Sequence, residues 1–271
     1  MWPVAVLAAI LLLPLAGVAA SAQELPIFEA HLHYSQDAWD PYTPDAILAI
    51  LDRARVHRAL VSSTPDDGTL KLYEKAPKRI VPFLRPYRSR ADMGSWYADP
   101  AVLAYVEERL KTNIYRGIGE FHLFGGQTGT PVMKRLVELA VEKNLFLHAH
   151  SDAKAVEELF GLNSRAKILW AHAGMSESAE TVGKLLDRYP TLWVELALRS
   201  DVAPGGRLDP AWRALFLRHT QRFMVGTDTW VPSRWEALPG HLDEVRAWLR
   251  QLPTDVAEQI ASGNGARLFG P

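Results

Sequence analysis

Eight short runs of branched and apolar residues, each followed by a longer amphipathic stretch, constrain this chain more than any other feature of its sequence. The runs are "LPIFEAHLH" near 25–33, "RALVSS" near 58–63, "RIVPFLRPY" near 79–87, "YRGIGEF" near 115–121, "LFLHAH" at 145–150, "KILWAH" at 167–172, "LWVELAL" at 192–198 and "RFMVGTD" at 222–228. The intervening segments "TPDAILAILDRAR", "ADPAVLAYVEERLKT", "PVMKRLVELAVEKN", "DAKAVEELFG", "SAETVGKLLDRYP" and "DPAWRALFLRH" read as helices, several opened by Thr, Asp or Pro. "DGTLKLYEKAP" is the crossover with the weakest helical pattern, while "GHLDEVRAWLRQL" and "TDVAEQIASGNGARLFG" can close an outer helical layer. Such alternation implies parallel strands joined by helical crossovers. Eight units at this length point to an α/β fold, a single-domain (β/α)8 TIM barrel, for which about 250 residues is typical. The competing architecture is an open doubly wound sheet. Its phosphate loop is missing, because "RGIGEFHLFGG" has glycines without the pattern that opens a nucleotide-binding helix.

The barrel does not account for the start of the chain. "VAVLAAILLLPLAGVAA" is apolar and runs into Ala20-Ser21-Ala22, a small-residue cleavage pattern, so residues 1–22 read as a signal peptide and 23–271 as the barrel. Export to the periplasm of a bacterium, or secretion, follows from that reading. A retained membrane anchor is the alternative, since no Lys or Arg precedes the apolar run and its length approaches a short span. The chain has no cysteine, which removes disulfides and a cysteine-linked lipid anchor. Its 30 basic and 31 acidic residues give a net charge of −1, so no nucleic-acid partner is expected, nor stable membrane association after cleavage. The expected partner is a small-molecule substrate, and the sequence leaves a homo-oligomer open.

In a barrel of this type, chemistry sits where the strands end at the C-terminal face. The first run ends His31-Leu-His33, and the period of two along a strand sends both imidazoles to one side. The fourth ends Glu120-Phe-His122, the fifth His148-Ala-His150, the sixth in His172 and the eighth in Asp228. The seventh carries Glu195 and Arg199, with Glu195 the deeper and for that reason a poorer ligand than Glu120. A lone strand histidine is ordinarily packing. Convergent imidazoles and carboxylates in a barrel mouth are different, because a divalent cation would neutralise the acids and use the imidazole lone pairs. The mixed nitrogen and oxygen set favours zinc or another divalent transition metal, as one or two ions.

From "HLH" through "LHAHSD", "WAHAG" and "GTD" to "NGARLF", the chain resembles the amidohydrolase superfamily, in its amidohydrolase-related branch, which also holds metal-dependent decarboxylases. The resemblance implies that His31, His33, Glu120, His148, His172 and Asp228 are metal ligands. Glu120 looks like the bridging carboxylate of TatD-type hydrolases; no lysine ends this strand, so a carbamylated lysine is not expected. The family spacing from strand five to strand six favours His148 over His150 as the ligand, which leaves His150 to touch substrate or support the site. Asp228 and His172 are then the catalytic pair: a metal-activated water attacks a carbonyl, Asp228 acts as general base and then general acid, and His172 polarises substrate if only one metal is present. His150, His122, Arg85, Arg199 and Trp230 are candidate substrate contacts, with Phe124 and Trp39 as further apolar walls. Either arginine could clamp an anionic group or pair with a glutamate inside the mouth.

Hydrolysis of an ester, lactone or amide is the leading expectation. A non-oxidative decarboxylase or hydratase of the same superfamily would predict one metal and an arginine on the substrate carboxylate. A TatD-like phosphoesterase or nuclease would need a positive groove, for which only Arg85, Arg88 and Arg90 cluster. A non-catalytic binding protein on a degenerate barrel would require missing strand-end residues, and none is missing.

Overall fold

Helix starts in this chain are written in the capping residues. Thr43, Asp99, Thr130, Asp152, Ser178 and Asp209 each accept a backbone N–H from the first turn that follows, and a proline opens four of these helices. The computed structural model describes residues 25–270, so the expected leader lies outside the described residues. Among the described residues no helix is long and apolar enough to cross a membrane.

All eight expected strands form: β1 (Ile27–Leu32), β2 (Val56–Val61), β3 (Ile80–Leu84), β4 (Gly117–His122), β5 (Phe146–His150), β6 (Lys167–Trp170), β7 (Leu192–Glu195) and β8 (Phe223–Met224). They pair in parallel in chain order. The ring closes where the Ala30 N–H donates to Val225 O at 2.8 Å and the Asp228 N–H to His31 O at 2.8 Å. The crossovers are α1 (Pro44–Arg53), α2 (Asp67–Lys75), α3 (Pro100–Arg109), α4 (Pro131–Glu142), α5 (Ala153–Leu162), α6 (Ala179–Arg188) and α7 (Pro210–Arg218). After β8 follow α8 (Pro232–Leu249), α9 (Thr254–Glu258) and α10 (Asn264–Phe269). The result is a (β/α)8 barrel. Four elements have boundaries that differ from expectation. α8 begins eight residues before "GHLDEVRAWLRQL", because Pro239 and Gly240 interrupt its apolar pattern without ending the helix. β6, β7 and β8 stop short of the residues that carry His172, Arg199 and Asp228, which sit on irregular backbone just beyond.

Strand alternation divides the interior into two halves. Outward residues such as Ile80, Leu84, Ile118, Leu147, Ile168 and Val194 pack under the helices. The lower interior is apolar: Phe28, Ala30, Leu60, Val81, Phe83, Phe146, Leu169 and Met224 form a separate cluster that Phe269 plugs from below. The "NGARLF" segment is built for this position. Asn264 Nδ2 donates to Thr220 O and Phe223 O, both at 2.8 Å, tying α10 to the start of β8. A Cβ on Gly265 would lie 2.2 Å from the Phe28 ring, so only glycine lets the helix lie this close. Phe269 then reaches Phe28, Phe83 and Phe146 with ring centres 5.7, 5.7 and 5.0 Å away. Its loss would leave an aromatic-lined void that rigid strands cannot collapse around. Phe269→Ala should cost about 3–5 kcal/mol, read as a lowered urea midpoint with an unchanged slope.

Candidate metal and catalytic centre

Above the apolar floor the barrel turns polar. His31, His33, Glu120, His148, His172, Glu195 and Asp228 are all buried. β1 contains a bulge here: Glu29 pairs with Ala59 but Leu32 with Val61, so three steps on β1 face two on β2. Glu29 fixes the bulge by accepting the His31 N–H at 2.9 Å and the Thr227 N–H at 2.8 Å, which links β1 to β8. Burial holds its carboxyl well above the usual carboxylate range.

Three imidazoles have one nitrogen committed and the other aimed at a common point. His33 Nδ1 donates to Ser62 O at 2.5 Å, His172 Nδ1 to Ala197 O at 3.2 Å, and His31 Nδ1 to Glu195 Oε1 at 3.0 Å. These bonds fix the tautomers, leaving each Nε2 to face inward. His31 Nε2 and His33 Nε2 lie 3.0 Å apart. Glu120 Oε2 is 3.5 and 3.2 Å from them, and Asp228 Oδ1 is 3.7 and 3.2 Å away. His172 Nε2 stands 3.3 Å from Glu120 Oε1. Two lone pairs at 3.0 Å repel unless a cation or proton stands between them. Asp228 Oδ1 is buried without a hydrogen-bond partner, the signature of an oxygen waiting for a cation. The donors fit a divalent metal: His31, His33 and Glu120 form one ligand group, and His31, His172 and Asp228 another.

The electrostatics agree. Burial by itself would lower the His31 imidazole, but Glu120, Asp228 and Glu195 around it raise it well above its ordinary value. Burial likewise opposes ionisation of Glu120 and Glu195, yet His31 and its neighbouring histidines hold both well below the carboxylate range. Asp228 is held at about 2 by His31 and His33 against its own burial, so it is ionised at neutral pH. Three carboxylates about one imidazole leave a centre that demands positive charge.

The strand-five histidines sit at different depths. His150 Nδ1 lies 3.0 Å from Glu120 Oε1, at the centre. His148 lies beneath, its ring 4.6 Å from that of His31 and its Nε2 3.9 Å from Glu195 Oε1, with no hydrogen bond on either nitrogen. Burial pushes His148 down to about 4, so it is neutral. It forms a deeper potential ligand group with His31 and Glu195. His122 stacks against His150 with ring centres 4.3 Å apart, and Tyr87 Oη lies 3.0 Å from its Nδ1. Burial lowers His122 to about 4. Arg85 donates through Nη2 to Glu120 Oε2 at 2.9 Å and through Nε to Glu120 O at 3.0 Å. Arg199 spends its guanidinium on Asp201 and on the carbonyls of His172, Ala173 and Glu177. Trp230 stands exposed on the rim.

Sequence reasoning ranked Glu195 low and overlooked Glu29 and Ser62. Glu29 shares the strand parity of His31 and His33, a signal that "EAHLH" does carry. Ser62 follows β2 directly, and its hydroxyl receives the Glu120 N–H at 3.1 Å. Glu195 acts through others: Oε1 accepts from His31 Nδ1 and, at 2.6 Å, from the His172 N–H, and Oε2 accepts the Ala197 N–H. Gly226 makes room for it, since a Cβ there would lie 2.0 Å from Glu195 Oε2. Glu195→Gln removes the charge behind His31. Its affinity for added Zn2+, measured by competition with a chromophoric chelator, should fall about 10–100-fold while the fold survives.

A family model described as Amidohydrolase matches residues 91–270. The comparison with curated proteins gave no match. Among solved structures, a probable 2-pyrone-4,6-dicarboxylic acid hydrolase of Acinetobacter baumannii, with citric acid bound, superposes with a TM-score of 0.63 at 16% identity, covering 90% of this chain and 99% of that one. A Pseudomonas putida protein with the same provisional assignment gives 0.59 at 15%, covering 91% and 98%. A Lactobacillus casei protein provisionally assigned as a metal-dependent hydrolase gives 0.53 at 14%, covering 85% and 77%. At such identities these neighbours establish the fold. The family match spans most of the barrel, including the strand ends from Glu120 to Asp228, and on that basis the chain belongs to the amidohydrolase family of hydrolytic enzymes.

Proposed function

We propose that the protein is a metal-dependent hydrolase that adds water to the carbonyl of an ester, lactone or amide. The observation that carries this reading is the convergence of the His31, His33 and His172 Nε2 atoms on Glu120 and the unpartnered Asp228 Oδ1. His31, His33, His172, Glu120 and Asp228 would hold the cation, with His150 beside Glu120. Zinc or another divalent transition metal bound there supplies a Lewis acid that acidifies water and polarises the carbonyl oxygen.

The chain's own groups do the rest. Asp228, ionised and pointing at the centre, takes a proton as water attacks the carbonyl carbon and returns it to the leaving oxygen or nitrogen. Neutral His122, with Nδ1 facing the Tyr87 hydroxyl, keeps Nε2–H as a donor toward substrate oxygen. Sequence spacing favours His148 for ligation; the contact with Glu120 belongs to His150, so in this reading His150 works at the centre and His148 supports it from below. Arg199 braces backbone, and Arg85 orients Glu120. The apolar run and Ala20-Ser21-Ala22 support reading residues 1–22 as a leader, and with it an activity outside the cytoplasm, in the periplasm or medium.

Protein purified without added metal should contain one or two equivalents. Stripping with a chelator should abolish turnover of simple esters and lactones, and Zn2+ or Mn2+ should restore it. Asp228→Asn should lower kcat by about 10²–10⁴-fold. Full activity after verified metal removal would sink the metal-dependent reading, and release of CO2 from carboxylated substrates without ester turnover would replace hydrolysis with decarboxylation.

A further inference from the structure

Among the described residues six large hydrophobic side chains are exposed: Met93, Phe124, Met175, Leu198, Leu217 and Trp230. Leu217 lies in α7. The other five lie in the segments that follow β3, β4, β6, β7 and β8, all at the C-terminal face of the barrel. Exposed hydrophobics scattered singly are ordinary, but five of the six stand on the connections of one face, the face that carries the centre. Phe124 reaches the centre edge-on, its ring 6.1 Å from that of His150. Trp230 follows Asp228 by two residues and is 51% exposed. Met175 and Leu198 hold φ of 58° and 61°, a left-handed backbone that bulky side chains avoid. Beside Leu198, a separate cavity of about 960 Å³ lies between the segment after β7 and α8, lined by Leu196, Leu238, Val245 and Trp248 together with Arg199, Arg234 and Glu244, and by none of the residues of the centre.

The cations of the same face are mostly spent. Arg85 and Arg199 donate to Glu120 and Asp201, Arg88 to Asp92 and Asp99, Arg90 to Asp37, and Arg234 to the carbonyls of Thr227 and Asp228. Arg207, exposed in the segment after β7, forms no ion pair among the described residues and remains the one loop arginine a substrate anion could reach.

We propose that the substrate is a neutral ester or lactone bearing an aryl or alkyl group, which this apolar collar seats while the carbonyl reaches Asp228. The proposal rests on the hydrolase reading and names the substrate class of that site. It is tested with metal-replete protein, 1-naphthyl acetate and a dicarboxylated aryl acetate, 5-acetoxyisophthalate. The expected result is a kcat/KM at least about 10-fold higher for the naphthyl ester. Phe124→Ser and Trp230→Ser should each raise its KM by about 10-fold, with metal content unchanged, and Leu217→Ser should leave KM unaltered. A preference for the dicarboxylate that Arg207→Ala abolishes would overturn the proposal, as would unchanged KM in both collar variants. Should no ester be hydrolysed, the hydrolase reading fails separately, and calorimetry with 1-naphthyl methyl ketone decides the collar: binding weakened in Phe124→Ser and Trp230→Ser sustains it, and no binding overturns it. A wild-type dimer or vesicle association that these two variants dissolve would assign the collar to an interface and overturn it too.

Discussion

The hydrogen bond from His31 Nδ1 to Glu195 is the contact on which the upper half of the barrel depends. A carboxylate buried beside Met224 is costly unless its oxygens are fully used, and Glu195 uses both, on one imidazole and two backbone N–H groups. In return it sets the tautomer of His31, which turns a packed strand histidine into a donor facing Glu120 and Asp228. The strands on either side have to yield space for it. Gly226 on the β8 side is a consequence, since any side chain there would occupy the position of the carboxylate.

Much of the fold was legible because the barrel is a repeated local pattern. Apolar runs and capped amphipathic helices recur at short intervals, and each unit is specified by its own residues. What stayed hidden was what local pattern cannot encode. Pro239 conceals the first half of α8 because propensity argues against a helix that packing retains. The site was legible as a set of strand-end residues, but not in its layers. A two-residue step along β5 moves a side chain about 6.5–7 Å up the barrel, and which of His148 and His150 meets Glu120 depends on the height of β4 relative to β5. His148 pairs in register with Gly119, and His150 with His122, so Glu120 stands between the two histidine levels. Its Oε1 points up to His150. No spacing within "LHAHSD" contains that fact. Ser62 was missed for a related reason: it acts through its carbonyl on His33 and its hydroxyl on the Glu120 N–H, which leave no mark on residue type, whereas Glu29 left only its parity with His31.

The backbone that carries the centre is held in unusual conformations, and that gives Arg199 and Arg234 a common purpose. His172, Ala173 and Asp228 all adopt positive φ, of 55°, 47° and 57°. Asp tolerates this region better than most residues, while His and Ala do so only when their surroundings over-determine them. Arg199 donates to the carbonyls of His172 and Ala173, and Arg234 to those of Thr227 and Asp228. Each arginine thus fills carbonyls that the turn out of the strand leaves without a ladder partner. In sequence, an arginine four residues beyond a strand glutamate looks equally suited to clamp a substrate anion or to pair inside the mouth. In the fold Arg199 leans away from Glu195 onto Asp201, which anchors its fork, and the strained peptide of His172 sits on the other side. The strain is useful where it is. An irregular turn lets His172 and Asp228 drop their side chains inward from strands that have already ended, to the same depth as His31 and His33 on a strand lengthened by a bulge. The common level of the converging atoms is therefore produced by two opposite distortions, an added residue on β1 and early termination of β6 and β8, each fixed by a polar side chain that touches backbone.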